Sequence, residues 1–260
     1  MKLKFSMNVF SNSLKDAGIV ILAAGKGTRL NCVDMPKVMI KVGGKPIISY
    51  FIETCKKIGF KKDRICLVIG FQKEKLMDYF GDEVSYAVQE EQLGTAHAAY
   101  TGIKVLPSFV KRVLVVNGDD SAFYRPETIK NFFANHKKDG NVLSLLTTEI
   151  ESPVQYGRII RYQDGRAEII EKEYLTEEQK KIKEISTGTF CFDRNWFEEI
   201  FPRMPKMRKL GEFGLPAAVS MAREMNAPIK FVKLEDPNEW WGVNTKEELE
   251  EAERRKNNIK

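Results

Sequence analysis

A decapeptide rich in small residues, ILAAGKGTRL from Ile21 to Leu30, follows directly on the first strongly apolar run of the chain. In an α/β sheet the loop after a parallel strand is where ligands bind. Ala23, Ala24, Gly25, Gly27 and Thr28 leave the backbone N–H groups of such a loop open to an anion, and Arg29 adds a fork of donors matched to phosphate oxygens. Spacing excludes two common phosphate motifs. Gly25 and Gly27 lack the third glycine of a dinucleotide fingerprint, and no Gly-Lys-Ser/Thr ending makes a Walker A loop.

Lys37 follows Pro36 in the next loop, and VNGDD ends in Gly118, Asp119 and Asp120 after another apolar run. Two polyanionic reactants repel at about 4 kcal/mol per unit charge pair at 4 Å in a partly shielded site, so bringing them together needs fixed cations. Arg29, Lys37 and a divalent metal are the natural suppliers, with Asp119 the first choice to hold Mg²⁺ among substrate phosphates. Asp120 reads as a second ligand or as a neighbour supporting the first.

Between these motifs lies QEEQLGTAHA, Gln89 to Ala98, ahead of an alanine-rich helical stretch. A glutamine amide offers a donor and an acceptor, which suits the edge of a pyrimidine base. Gly94 allows close backbone approach, and Thr95 is placed to cap the helix. His97 and His136 are the only histidines; neither has metal-ligand or triad spacing, and neither is expected to take part in catalysis.

The elements that must hold these residues follow from periodicity. Gly18–Ala23, Ile65–Gly70, Val84–Val88 and Val113–Asn117 are continuous apolar runs, the pattern of strands buried on both faces. Ile48, Phe51, Ile52, Cys55 and Ile58 form a helical stripe closed by Gly59, and a second helix opens at Pro126. Strand and helix alternate, which predicts a doubly wound α/β sheet, mixed but mostly parallel. From Asn141 the chain turns β-rich, with strand-like runs at Val142–Thr147, Arg158–Tyr162, Ala167–Glu171 and Ile185–Phe192, and one short charged helix over Thr176–Glu184. The basic loop Pro202–Gly211 reads as solvated, Trp240 and Trp241 as packing or ligand-stacking rings, and Thr245 with Glu248 as a capping box opening a charged, mostly solvated last helix.

Composition narrows the function classes. With 43% hydrophobic residues and 16 Phe, the 260-residue chain can build a sizeable core without staples, so a disordered chain is excluded. A net charge of +6 is a mild excess that suits phosphorylated small molecules. Cys32, Cys55, Cys66 and Cys191 form no C-x-x-C pair, so they read as bland thiols of a reducing compartment. The N-terminal stretch lacks the apolar core of a signal peptide, no run is long enough to span a membrane, and neither nucleic acid nor membrane is an expected partner; a cytoplasmic protein is the expectation.

The ordered set AAGKGTR, PK, QLGTAH, GD, YGR and GVN resembles the sugar-1-phosphate nucleotidyltransferases, or nucleotide-sugar pyrophosphorylases. The likeness is greatest to the uridylyltransferase domain of the bacterial bifunctional enzyme that makes UDP-N-acetylglucosamine, and it runs from about Gly18 to Arg255. The resemblance implies a polar arm over 1–16 and one nucleotidyltransferase domain over 17–257, with a nucleotide-binding half (about 17–140) and a sugar-binding half (about 141–257). It implies that Leu22, Ala23, Ala24, Gly25, Gly27 and Thr28 wrap the nucleotide with Gly118, and that Lys37 contacts phosphate. It further implies that Gln89 reads uracil beside Gly94 and Thr95, that Asp119 and Asn244 hold Mg²⁺, and that Gly157, Glu171, Ser186 and Asn244 face the sugar. The expected reaction joins a sugar 1-phosphate to a nucleoside triphosphate, UTP foremost, with release of pyrophosphate.

Three departures from the family pattern stand out: Ser186-Thr187-Gly188 for N-T-G, Glu212–Ala217 for E-Y-Y-[IL]-T-D, and Asp120-Ser121-Ala122 for V-P-L. They argue for an intact nucleotide half, a rebuilt sugar half, and an acceptor other than N-acetylglucosamine 1-phosphate. The family's hexapeptide-repeat acetyltransferase domain is not expected here, and oligomeric state stays open. Two alternatives remain: nucleotidyl transfer, of CMP for instance, to a phosphorylated alcohol that is not a sugar, and a regulatory protein that binds nucleotide sugars without turnover.

Overall fold

The computed structural model describes residues 14–27, 30, 34–207 and 211–258. In chain order, β1 (Ala17–Leu22) is followed by a small hairpin, β2 (Lys41–Val42) and β3 (Lys45–Pro46), and by α1 (Ile47–Lys57). Then come β4 (Ile65–Ile69), α2 (Lys73–Phe80), β5 (Ser85–Val88), α3 (Thr95–Val105), β6 (Arg112–Asn117) and α4 (Pro126–Lys138). The rest comprises β7 (Leu143–Glu149), β8 (Arg158–Arg161), β9 (Ala167–Ile170), α5 (Glu177–Lys180), β10 (Glu184–Asp193), α6 (Arg194–Ile200), α7 (Ala217–Glu224), β11 (Ile229–Lys233) and α8 (Lys246–Asn258).

Seven strands form one sheet in the order β11-β7-β10-β6-β1-β4-β5. All neighbours are parallel except that β10 runs antiparallel to both β6 and β7. The mixed, mostly parallel doubly wound sheet expected from the sequence is therefore present, and its central strands are apolar throughout because helices cover both faces. On one face the predicted stripe of α1 (Ile48, Phe51, Ile52, Cys55) packs with Ile129, Phe132 and Phe133 of α4. On the other, Ala96, Ala99 and Ile103 of α3 lie against Val20, Val68 and Val115. Each fully buried large side chain in these layers stabilises the fold by about 1.5–3 kcal/mol relative to exposure.

The chain leaves β1 for β4 and β5 on one side, then returns to lay β6 on the other side of β1. That reversal makes the crevice at the C-terminal ends of β1 and β6 the place where a doubly wound sheet binds ligand.

The β-rich second half adds β7, β10 and β11 to the same sheet, and of its strands only the β8–β9 hairpin stands apart. Several expectations need correction. The charged helix expected over Thr176–Glu184 is one turn, Glu177–Lys180, with a Thr176–Gln179 capping box. Glu184 instead begins β10, drawn in by two hydrogen bonds from Arg161 and one from Thr147. The helices α2, α6 and α7 carried too short or too polar a stripe to be read. Within the stretch taken as a polar arm, Leu14 is buried in the core and Asp16 pairs with Arg112. The last helix is less solvated than expected: the Lys256 ammonium sits between the Tyr50 and Phe123 rings and donates to the Ala122 carbonyl at 2.7 Å.

Candidate active site

A cavity of about 540 Å³ opens at the switch point between β1 and β6. Leu22, Ala23, Ala24, Gly25 and Gly27 form one wall, because they are the end of β1 and the loop that continues it. The Ala23 N–H is spent on the Val68 carbonyl at 2.9 Å, and the Ala24 carbonyl accepts from Gln92 Nε2 at 2.8 Å, which ties this loop to the segment after β5. Thr28 and Arg29 lie outside the described residues, as do Cys32 and part of the basic loop Pro202–Gly211.

Lys37 reaches in from a single 3-10 turn (Lys37–Met39). Its ammonium makes an ion pair with Asp119 and donates to Asn244 Oδ1 at 2.8 Å. Asp119 is placed by Gly118, whose N–H bonds the Leu22 carbonyl at 3.0 Å at the end of β6. Asn244 is placed by the loop before α8, where Val243 N–H donates to the Asp119 carbonyl and Glu248 accepts from the Asn244 and Thr245 N–H groups. The predicted capping box at Thr245 and Glu248 thus also sets the Asn244 loop. Oxygens of Asp119 and Asn244 face one common cation, the Lys37 ammonium, so the donor set is of the hard-oxygen type that suits Mg²⁺. Among the described residues no group of three His, Cys, Asp or Glu side chains could hold a metal by itself.

Asp120 also lines the cavity but is deeply buried. One carboxyl oxygen accepts from Asn117 Nδ2 at 3.0 Å, and the other is without a partner. Burial first, and the neighbouring Asp119 carboxylate second, hold this carboxyl well above the usual carboxylate range.

The nucleobase candidates sit across the crevice. Gln89 is 5% exposed, and its amide nitrogen lies 3.2 Å from the Gly94 carbonyl and 3.0 Å from His97 Nδ1. Gly94 has φ +105°, and a Cβ there would stand 2.5 Å from the Phe213 carbonyl oxygen, so glycine is demanded twice over. Thr95 does not cap the helix; it is the first residue of α3, and its hydroxyl accepts from Leu215 N–H at 3.0 Å. Phe213 N–H donates to the Leu93 carbonyl at 2.7 Å, and the Phe213 carbonyl accepts from Ala96 N–H at 2.8 Å. The departure at Glu212–Ala217 therefore straps the loop between Gln89 and α3.

Four predicted site residues do not line the cavity: Gly118, Gly157, Glu171 and Ser186. Gly157 and Glu171 are neighbours, since a Cβ on Gly157 would lie 3.2 Å from the Glu171 Cα and 2.7 Å from the Ile170 carbonyl oxygen. Burial raises the Glu171 carboxyl above its ordinary value. Ser186 Oγ accepts from Gly188 N–H at 3.1 Å within an irregularity of β10, beside Asn117 and Asp120. Sequence reasoning missed Gln92, Gln155, Tyr156 and Glu212 on the cavity wall. Trp240 also lines the cavity, its indole N–H on the Thr187 carbonyl at 3.0 Å and its ring edge-on to Tyr156, whereas Trp241, with Arg255 over its ring, is not among the lining residues. Cys55, Cys66 and Cys191 are buried, with thiols pushed up by burial, Cys66 to about 12, so none is a ready nucleophile.

A family model for nucleotidyl transferases matches residues 19–257. The chain is 36% identical over 242 residues to the bifunctional protein GlmU of Geobacter metallireducens, and 34% identical over 236 residues to that of Oceanobacillus iheyensis. These matches cover 92% and 90% of this chain, and 50% and 51% of the relatives, so the chain spans about half the length of the curated relatives it matches. Among solved structures, a Bacillus anthracis chain assigned as a glucose-1-phosphate thymidylyltransferase and bound to a sucrose superposes with a TM-score of 0.76 at 21% identity, covering 94% of this chain and 96% of that one. That likeness speaks to the fold. The family match takes in both the loop after β1 and the Asn244 loop that closes on it, and the chain belongs to the nucleotidyl transferase family.

Proposed function

We propose that the cavity joins a nucleoside triphosphate, UTP foremost, to a sugar 1-phosphate, releasing pyrophosphate and forming a nucleotide sugar in a Mg²⁺-dependent reaction. The observation that carries this reading is the convergence of Lys37, Asp119 and Asn244 on one point at the mouth of β1 and β6. The GlmU relatives and the thymidylyltransferase fold support the sugar-phosphate chemistry.

In this reading a phosphate oxygen of the sugar 1-phosphate attacks the α-phosphorus of the triphosphate in line. The new P–O bond forms as the bond to the bridging oxygen breaks, and its electron pair leaves with pyrophosphate. The attacking oxygen is already ionised at neutral pH, so the protein need supply neither nucleophile nor base. Its task is alignment and charge compensation.

The described lining residues meet that charge poorly alone, because the acidic side chains of Asp119 and Glu212 stand there against a single cation, Lys37. When bound, Mg²⁺ supplies the missing positive charge at the phosphate oxygens. Asp119 and Asn244 would hold it with the triphosphate and water completing the shell, the usual habit of this ion. Their oxygens then no longer need the Lys37 ammonium, which is free to pair with phosphate. Arg29 adds a further donor fork, and the Ala23–Gly27 backbone lies along the triphosphate.

Coupled pyrophosphate release, measured for UTP, dTTP, CTP, ATP and GTP against a panel of sugar 1-phosphates with Mg²⁺, tests the proposal. Turnover with at least one sugar 1-phosphate is the expected result. Release only with a phosphorylated alcohol such as phosphocholine would move the acceptor outside sugars. Thermal stabilisation by nucleotide sugars without any release would mark a binding protein in place of an enzyme.

A further inference from the structure

We infer that His97 is a positioning residue that fixes which way the Gln89 amide faces, so that the cavity presents a hydrogen-bond acceptor to the nucleobase and selects uracil or thymine over cytosine. The inference rests on the reading of this cavity as a nucleoside triphosphate site.

A side-chain amide can be turned over at little cost unless its neighbours forbid it. Here they do. The Gly94 carbonyl, 3.2 Å from the amide, can only accept, so the atom facing it must be Nε2. The second hydrogen of that nitrogen is aimed at His97 Nδ1 at 3.0 Å, which requires a neutral ring carrying its proton on Nε2. Turned over, the amide would set its oxygen acceptor to acceptor against both the Gly94 carbonyl and the bare His97 Nδ1. Both amide hydrogens are thus spent on the protein, and the polar atom left to a ligand in the cavity is Oε1, which only accepts.

The geometry behind this pair is rigid. Gln89 is 5% exposed and anchored by its own N–H to the Ile69 carbonyl at 2.8 Å. The His97 ring stacks on Phe201 at 6.2 Å, and Phe201 stacks in turn on Tyr100 at 4.2 Å. The His97 carbonyl takes the Thr101 hydroxyl at 2.8 Å. Nitrogen 3 of uracil and thymine carries a hydrogen that can meet an acceptor, whereas nitrogen 3 of cytosine is itself an acceptor. A site whose polar group is left unpaired by the wrong base rejects that base more strongly than an apolar pocket could.

Two variants separate the ring's stacking from its nitrogen. His97→Phe keeps the stack on Phe201 and removes the acceptor, while His97→Asn keeps an acceptor at the Nδ1 position and removes the stack. The ratio of kcat/KM for UTP to that for CTP is expected to fall at least about five-fold in His97→Phe, carried by KM with kcat little changed, and to be retained in His97→Asn. Nitrogen-15 NMR of the unmodified protein, which has only two histidines, adds a readout that needs no variant: His97 should be the Nε2–H tautomer with a bare Nδ1. An Nδ1–H tautomer, equal discrimination in all three proteins, or an equal loss in both variants would overturn the inference. If the unmodified protein binds and turns over no pyrimidine triphosphate, the nucleotide reading itself fails, a result distinct from active enzyme with unchanged discrimination.

Discussion

Lys37 and Asn244 stand 207 positions apart in the chain, and the Lys37 ammonium donates to Asn244 Oδ1 across 2.8 Å. With the Asp119 carboxylate on the same ammonium, three elements from the beginning, middle and end of the fold share one charge. None of the three is a site alone. Together they bring one ammonium and two side-chain oxygen donors to the C-terminal ends of β1 and β6.

Removing that charge should hurt turnover far more than folding. Lys37→Ala is expected to lower kcat/KM by ten-fold or more, the loss of a charge-assisted contact of about 1.5–3 kcal/mol, while the thermal midpoint shifts little because Lys37 is only part-buried. Steady-state kinetics beside a melting curve checks both halves.

Metal dependence should follow Asp119 and Asn244. Chelation should abolish turnover and added Mg²⁺ restore it. Asp119→Ala should leave a folded protein without activity at any Mg²⁺ concentration, and Asn244→Ala should raise the Mg²⁺ concentration needed for half-maximal rate. A Mg²⁺ titration of near-normal form in both variants would remove the pair from the reaction.

His136 provides a pH test independent of the site. It is 1% exposed, its Nδ1 pairs with Ser144 Oγ at 2.9 Å, and burial with the Arg112 charge depresses its pKa to about 4. Between that value and its ordinary value near 6.5 the unfolded chain binds the proton that the folded chain refuses, so stability rises with pH across the window and is lost as pH falls through it. Unfolding in urea should show roughly 2 kcal/mol less stability from this residue at pH 5 than at pH 7, and His136→Leu should flatten that part of the slope.

Gly94→Ala should destabilise the protein and the base-side loop together. A methyl group at φ +105°, pressed 2.5 Å from the Phe213 carbonyl oxygen, must displace the strap over Phe213–Leu215. The expected cost is about 1–3 kcal/mol in a denaturant melt, with a raised KM for the nucleotide.

The central sheet was legible because its residues report their surroundings locally. Val20, Val68 and Val115 belong to runs apolar on both sides, and only a strand sandwiched between helices asks for that. The stripe of α1 and the proline at the start of α4 were equally local signals. Helix α7 was not readable, since a single buried face of Ala218, Val219 and Ala222 gives a weak period over eight residues. Strand β11 is edge-placed and only half-buried, so its alternation is blurred as well.

For the site, residue type and place in the chain were enough to nominate Lys37, Gln89 and Asp119, because each chemistry needs a particular donor or acceptor, whereas Asn244 was nominated only by the resemblance of the GVN motif. The upward shift of the Asp120 carboxyl depends on burial among groups brought from elsewhere, the strap over Gly94 on a loop 120 residues away in the chain, and the pairing of His97 with Gln89 on how α3 docks. Side-chain chemistry and short-range periodicity are written in the sequence itself. Which groups lose their water, and which partner they then find, is decided only when distant segments close over one another, since solvation and hydrogen-bond reach are properties of distance in space.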